Sequence, residues 1–158
     1  DLGWLDEDGF LYISGRKKNL LVTGGGKNVY PEEIEALLNK QPHILESRVL
    51  GIPRPGGMGE EVEALIVPDY EVLDKETKES GKKWSAEEIE LLIKKEVGEV
   101  CKQLAEYKRI KKFSLYTEEF SKTSTKKIKR YLYQQKVLEV NGIKKAARNQ
   151  GKTHPGCA

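Results

Sequence analysis

The stretch "ESRVLGIPRPGGMGEEVEALIVPDY", residues 46 to 70, reads as two strands joined by a turn rich in proline and glycine. In its second half Val62, Ala64 and Ile66 alternate with Glu61, Glu63 and Leu65, the period of two that one face of a sheet imposes. Such a hairpin belongs at the centre of a sheet, and the rest of the chain can be placed around it.

Upstream, "GRKKNLLVTGGGKNVYPEEIEALLNK" carries a short apolar run into three glycines and out into a helix. Pro31 suits the first helical position, and Glu32 and Glu33 suit the positive end of the helix dipole. Ile34, Leu37 and Leu38 supply the inward face. Before this, Trp4-Leu5, the acidic turn Asp6 to Gly9, and Phe10 to Ile13 predict a hairpin.

Downstream, residues 69 to 84 are polar and lysine-rich and are expected to form a loop. Ser85 to Glu88 forms a capping box. Ile89, Ile93, Val97, Val100 and Leu104 then keep helical spacing to about residue 106, with Gly98 costing ~1 kcal/mol relative to alanine. Residues 110 to 116 predict a third strand, and 127 to 140 a last helix with Ile128, Leu132 and Leu138 inward. The stretch 141 to 158 has little apolar content and is expected to be disordered. The expected class is therefore α+β: a small antiparallel sheet of about three strands with packed helices, preceded by a β-hairpin and a hinge.

Composition narrows the function. Across 158 residues, 28 Lys+Arg stand against 25 Asp+Glu, so the net charge is only +3, less lopsided than a dedicated polyanion binder. Cys101 and Cys157 suggest no disulfide framework, and with His43 and His154 far apart no zinc-ligand spacing appears, so no metal site is expected. A reducing, cytoplasmic setting is the expectation. No apolar run approaches the roughly 18 residues of a membrane span, which excludes a spanning helix and leaves peripheral association open.

Two stretches invite chemistry. Gly24-Gly25-Gly26-Lys27 is not a phosphate loop, because Leu21 stands where the first glycine is required and Asn28 where Ser or Thr should follow the lysine. Val29 likewise replaces the third glycine of a dinucleotide fingerprint. The stretch is either a plain turn or a backbone surface that a ligand or another chain can approach closely. "FSKTSTKKIKR", residues 120 to 130, is either a solvated basic face or a hydroxyl-rich turn presenting a lysine. RNA binding is disfavoured, because Phe120 and Tyr131 do not make a repeated aromatic platform.

Taken together, "DLGWLDEDGFLYISGRKKNLLVTGGGKNVYPEEIE" and, about 90 residues later, "SKTSTKKIKR" resemble the C-terminal part of adenylate-forming acyl-CoA synthetases over residues 1 to 135. That superfamily includes acyl- and aryl-CoA ligases, luciferases and peptide-synthetase adenylation domains. The wording "RKKNLLVTGGGKNVYPEEIE" with "SKTSTKKIKRYLY" looks most like bacterial long-chain fatty acyl-CoA ligases. The resemblance implies that Asp1 accepts hydrogen bonds from the ribose hydroxyls and that Arg16 lies near ribose and phosphate. Lys18 would be the hinge, and Gly24, Gly25 and Gly26 would line the pantetheine tunnel. Lys127 would be the catalytic lysine, with Lys126 as reserve because it stands where the family has glycine.

The implied organisation is a hairpin, 1 to 17, closing an N-terminal adenylation domain, a mobile C-terminal lid, 18 to 140, and a tail. The residues before Asp1 are expected to read Thr-Gly or similar and to belong to a domain of several hundred residues. The implied activity is ATP-dependent long-chain fatty acid–CoA ligation with ATP, Mg2+ and CoA, and the chain alone is expected to be inactive. Two alternatives stay open: an aryl-CoA ligase or peptide-synthetase-type enzyme, and a non-enzymatic basic module that binds RNA or a protein partner.

Overall fold

A computed structural model describes residues 2–15, 17–120 and 153–155. Its centre is the hairpin of β5 (Ile44–Pro53) and β6 (Glu60–Pro68), paired antiparallel from Ile44↔Pro68 to Pro53↔Glu60. Val62, Ala64 and Ile66 face the main core, as their alternation predicts, together with Val49 of β5. The intervening residues do not face water. Glu63 and Leu65 are also buried, and Leu50, Ile52, Leu65 and Val67 form a second apolar cluster on the opposite face with Phe120. The hairpin is thus buried on both faces.

The main face is covered by α1 (Pro31–Leu38), through Ile34 and Leu38, and by α3 (Ala86–Gln103), through Ile93, Val97, Val100 and Cys101. The capping box of α3 is present in full. Ser85 Oγ accepts from the Glu88 amide at 3.2 Å, and the Glu88 carboxylate accepts from the Ser85 amide at 3.0 Å. Ile110 and Phe113 complete this core.

β7 (Lys112–Leu115) joins β6 in the parallel sense, with Ala64 opposite Phe113, so the sheet is mixed and not purely antiparallel. The cause is the connection. A parallel neighbour requires a crossover, and the segment between β6 and β7 supplies two helices. One of these is α2 (Tyr70–Ser80), which replaces the loop expected over 69 to 84. Its ends carry conventional signals: Asp69 Oδ1 accepts from the Val72 amide at 3.2 Å, and Gly81 closes the helix at φ 71°. Only Leu73 of α2 is buried, which is why no apolar periodicity announced it.

β8 (Thr153–Pro155) pairs antiparallel with β7, so these three residues of the stretch expected to be disordered are a strand, and the sheet order is β5-β6-β7-β8. Extended pairing needs only backbone groups, which a composition argument does not count. Cys101 is disulfide-bonded, contrary to the sequence expectation, since pairing of cysteines far apart in a chain is not legible from spacing. The expected helix over 127 to 140 lies outside the described residues.

The first hairpin is as expected. β1 (Leu2–Leu5) pairs with β2 (Leu11–Gly15), and the Asp6 carboxylate closes the turn by accepting from the Asp8 and Phe10 amides at 3.0 and 2.9 Å.

Gly98 offers a test of α3, because a Cβ placed there meets nothing within 4 Å. Gly98→Ala should stabilise the protein by roughly 0.5–1 kcal/mol, read as a higher denaturant midpoint with an unchanged slope. A lower midpoint would contradict the packing described for this helix.

Candidate functional site

The three glycines do not lead straight from a strand into a helix. They form the tip of a small hairpin between β3 (Leu21–Val22) and β4 (Asn28–Val29), and α1 begins two residues after β4. The tip is tied internally: the Thr23 amide donates to the Lys27 carbonyl at 3.0 Å, the Gly26 amide donates to the Thr23 carbonyl at 2.9 Å, and the Lys27 amide donates to Thr23 Oγ1 at 3.2 Å. Gly26 sits at φ 73°, where a side chain would be strained.

A second glycine-rich turn, between β5 and β6, packs against the first. A Cβ on Gly59 would lie 2.4 Å from the Gly24 nitrogen, and a Cβ on Gly24 would lie 2.7 Å from Arg54 Nη1 and from the Met58 carbonyl oxygen. Glu60 fastens the joint, since its Oε2 accepts from the Val22 amide at 3.1 Å. The two turns therefore touch backbone to backbone, which only glycine permits at Gly24 and Gly59. Gly25 is different: nothing lies within 4 Å of a Cβ placed there, so it faces open space.

Arg54, which the sequence reading passed over, lies along the glycine tip with its Nε 3.5 Å from the Glu61 carboxylate. The signal for this contact is the run Gly56, Gly57 and Gly59 in the turn already expected between the two strands, a second place where backbone is bare of side chains.

The start of α1 is tied to its surroundings by side chains. Asn19 Nδ2 donates to Glu32 Oε1 at 3.0 Å, joining the 3-10 turn Lys17–Asn19 to the start of α1. Lys108 Nζ donates to Glu33 at 3.0 Å, and this hydrogen bond pushes the Lys108 ammonium above its ordinary range against the opposing effect of burial. The expected hinge residue Lys18 is the middle residue of that 3-10 turn. Gly24 is thus set against the 54–59 turn, and the backbone of Lys18 lies in the turn that Asn19 ties to α1. Asp1, Arg16, Lys126 and Lys127 lie outside the described residues. Among the described residues no group of three or more His, Cys, Asp or Glu side chains is arranged to hold a metal ion, and no helix is long and apolar enough to cross a membrane.

No protein-family model matches the chain. Individual proteins do. The chain is 32% identical over 141 residues to a 2-succinylbenzoate–CoA ligase of Bacillus cereus, covering 89% of this chain and 24% of the relative. It is 46% identical over 74 residues to the long-chain-fatty-acid–CoA ligase FadD15 of Mycobacterium tuberculosis, covering 47% of this chain and 12% of the relative. The solved structure of o-succinylbenzoate CoA synthetase (MenE) from Bacillus subtilis, in complex with the acyl-adenylate intermediate OSB-AMP, superimposes with a TM-score of 0.61 at 28% identity, over 95% of this chain and 24% of that one. The chain belongs to the adenylate-forming acyl- and aryl-CoA ligases. The matches span 12% of the length of FadD15 and 24% of the length of the other two relatives.

The two turns make separable demands on their glycines. Gly59→Ala, at φ 79° and in backbone contact, should destabilise by several kcal/mol, on the scale of overpacking plus left-handed strain. Gly25→Ala should leave the thermal midpoint unchanged. Equal effects of the two on thermal unfolding would show that the turns do not pack as described.

Proposed function

We propose that this chain is the C-terminal lid of an ATP-dependent CoA ligase, preceded by the hairpin that closes its N-terminal adenylation domain. The observation that carries the reading is the glycine tip. It is backed by the 54–59 turn and tied by its own backbone hydrogen bonds, yet open at Gly25, the arrangement wanted where a slender thiol-bearing arm must pass close to backbone.

The reaction has two steps. A carboxylate oxygen of the acid attacks the α-phosphorus of ATP, and pyrophosphate leaves. The CoA thiol sulfur then attacks the acyl carbon, the thiol proton is lost, and AMP leaves. In the first step Lys127 places its ammonium between the substrate carboxylate and the α-phosphate, where negative charge gathers. Lys126 is the candidate should the register differ by one. Asp1 accepts from the ribose diol, and Arg16 lies near ribose and phosphate. Mg2+ travels with the nucleotide. In the second step the lid turns about Lys18, and the glycine tip takes the place of Lys127 beside the reacting centre.

For the acid we propose a long-chain fatty acid, supported by the identity to FadD15. An aryl acid is the second reading, favoured by the longer match to a 2-succinylbenzoate–CoA ligase. The acyl pocket in such enzymes belongs to the N-terminal domain, so the two readings share the lid, its lysine, its hinge and its glycine tip.

In the complete enzyme Lys127→Ala should lower the rate of pyrophosphate release by on the order of 10²-fold, and leave thioester formation from supplied acyl-adenylate within a few-fold of normal. Single-turnover assays of each half-reaction measure both. A larger defect in Lys126→Ala would move the catalytic role by one residue, and an unaffected adenylation step in both variants would overturn the assignment.

A further inference from the structure

His43, in the bend between α1 and β5, has both ring nitrogens against carboxylates. Nδ1 lies 2.6 Å from Glu96 Oε1 on α3, and Nε2 lies 2.8 Å from Glu76 Oε1 on α2. The His43 carbonyl also accepts from the amide of Asp69, the cap of α2, at 2.8 Å. Ionised carboxylates only accept, so both contacts are hydrogen bonds only while the imidazole carries two protons, or while one carboxyl carries the extra proton. In either case the trio holds one proton more than a neutral imidazole between two carboxylates. At neutral charge one ring nitrogen would aim a lone pair at an oxygen.

We propose that this proton is a latch for α2: with it, His43 ties Glu76 to Glu96, and without it α2 detaches from the domain. The two contacts differ in what their loss costs. The Glu96 side chain is 9% exposed and its Oε2 is buried without a hydrogen-bond partner among the described residues, whereas the Glu76 side chain is 39% exposed. Losing the proton therefore breaks the Glu76 contact, because that carboxylate can be rehydrated while Glu96 keeps the remaining N–H.

Little else holds α2. Leu73 is its one buried residue among those described, whereas α3 buries Ile93, Val97, Val100 and Cys101. Of the other groups near the ring, Trp84 lies 6.5 Å away and tilted, and Lys82 sits 5.3 Å above the Trp84 ring with its charge engaged by Glu88 at 3.0 Å. Asp69 uses its carboxylate on the Val72 amide.

Burial opposes the imidazolium, but the hydrogen bonds and charges of Glu96 and Glu76 outweigh it, and the His43 pKa lies above its ordinary value. A folded-state pKa above the unfolded one means that the stabilisation is full below the unfolded pKa and is lost as the pH rises through the folded pKa. Release of α2 is thus an alkaline event.

Hydrogen exchange of the full-length protein, read by mass spectrometry on peptides spanning 70–80 with labelling times scaled for intrinsic rate, tests this. Between pH 6 and 8.5 the corrected exchange of α2 should rise by about tenfold, the scale of losing one charge-assisted hydrogen bond, while peptides in β5 and β6 stay unchanged. Glu76→Gln should abolish the rise and keep α2 protected at both pH values, because the amide can donate to a neutral Nε2. A pH-independent α2 in the parent protein, or a rise in Glu76→Gln equal to the parent's, would overturn the latch.

Discussion

The Glu35 carboxylate is the joint on which the described fold turns. It is 8% exposed, accepts from both the Val49 amide at 2.8 Å and Arg48 Nη1 at 3.0 and 3.1 Å, and so binds α1 to the central strand β5. A buried charge without its partner costs about 3–5 kcal/mol, so the position of α1 on the sheet is the one that pairs the Glu35 and Arg48 charges. That position carries the glycine hairpin with it, since Val29 is fully buried and Pro31 starts the helix two residues later. The geometry of the open tip is thus inherited from an ion pair on the far side of α1's first turn.

This dependence explains the double use of glycine. Gly24 and Gly59 are structural, because they let the two turns meet at backbone distance once α1 and β5 are fixed. Gly25 is dispensable to packing, and its freedom is what a passing ligand would exploit. The same economy of contacts appears at α2, which has so little buried apolar surface that a single proton on the His43, Glu76 and Glu96 trio weighs heavily in its attachment.

Much of the fold was legible in the sequence wherever a short-range rule was decisive. Pro31 at the first helical position, the Ser85–Glu88 box, the Asp6–Gly9 turn and the strand alternation of 62 to 66 all act over four residues or fewer, and all are present. What escaped was decided by distant partners. Glu35 was absent from the predicted inward face because an acidic residue is buried only when a partner 13 residues away meets it. Glu63 on β6 is buried as well, on the face opposite Val62, Ala64 and Ile66. α2 escaped because its signals, Asp69 and Gly81, sit at its ends with one buried leucine between them. The glycine stretch was left between a plain turn and a backbone surface open to close approach; it is the tip of a small hairpin, with open space beside Gly25. The turn between β5 and β6 was expected from its prolines and glycines, but its packing against the first turn through Arg54 and Glu60 was not, because contact between two turns leaves no period in a sequence.

In the proposed mechanism one domain serves two half-reactions by turning about Lys18. Lys18 lies in a 3-10 turn whose backbone a proline can share, since proline fixes φ near −65°. A hinge must also visit a second conformation, which proline forbids. In the complete enzyme Lys18→Pro should therefore retain pyrophosphate release in a single turnover and lose CoA-thioester formation from synthetic acyl-adenylate, while Lys18→Ala remains mild in both. Equal loss of the two half-reactions in Lys18→Pro, or no loss in either, would contradict the account.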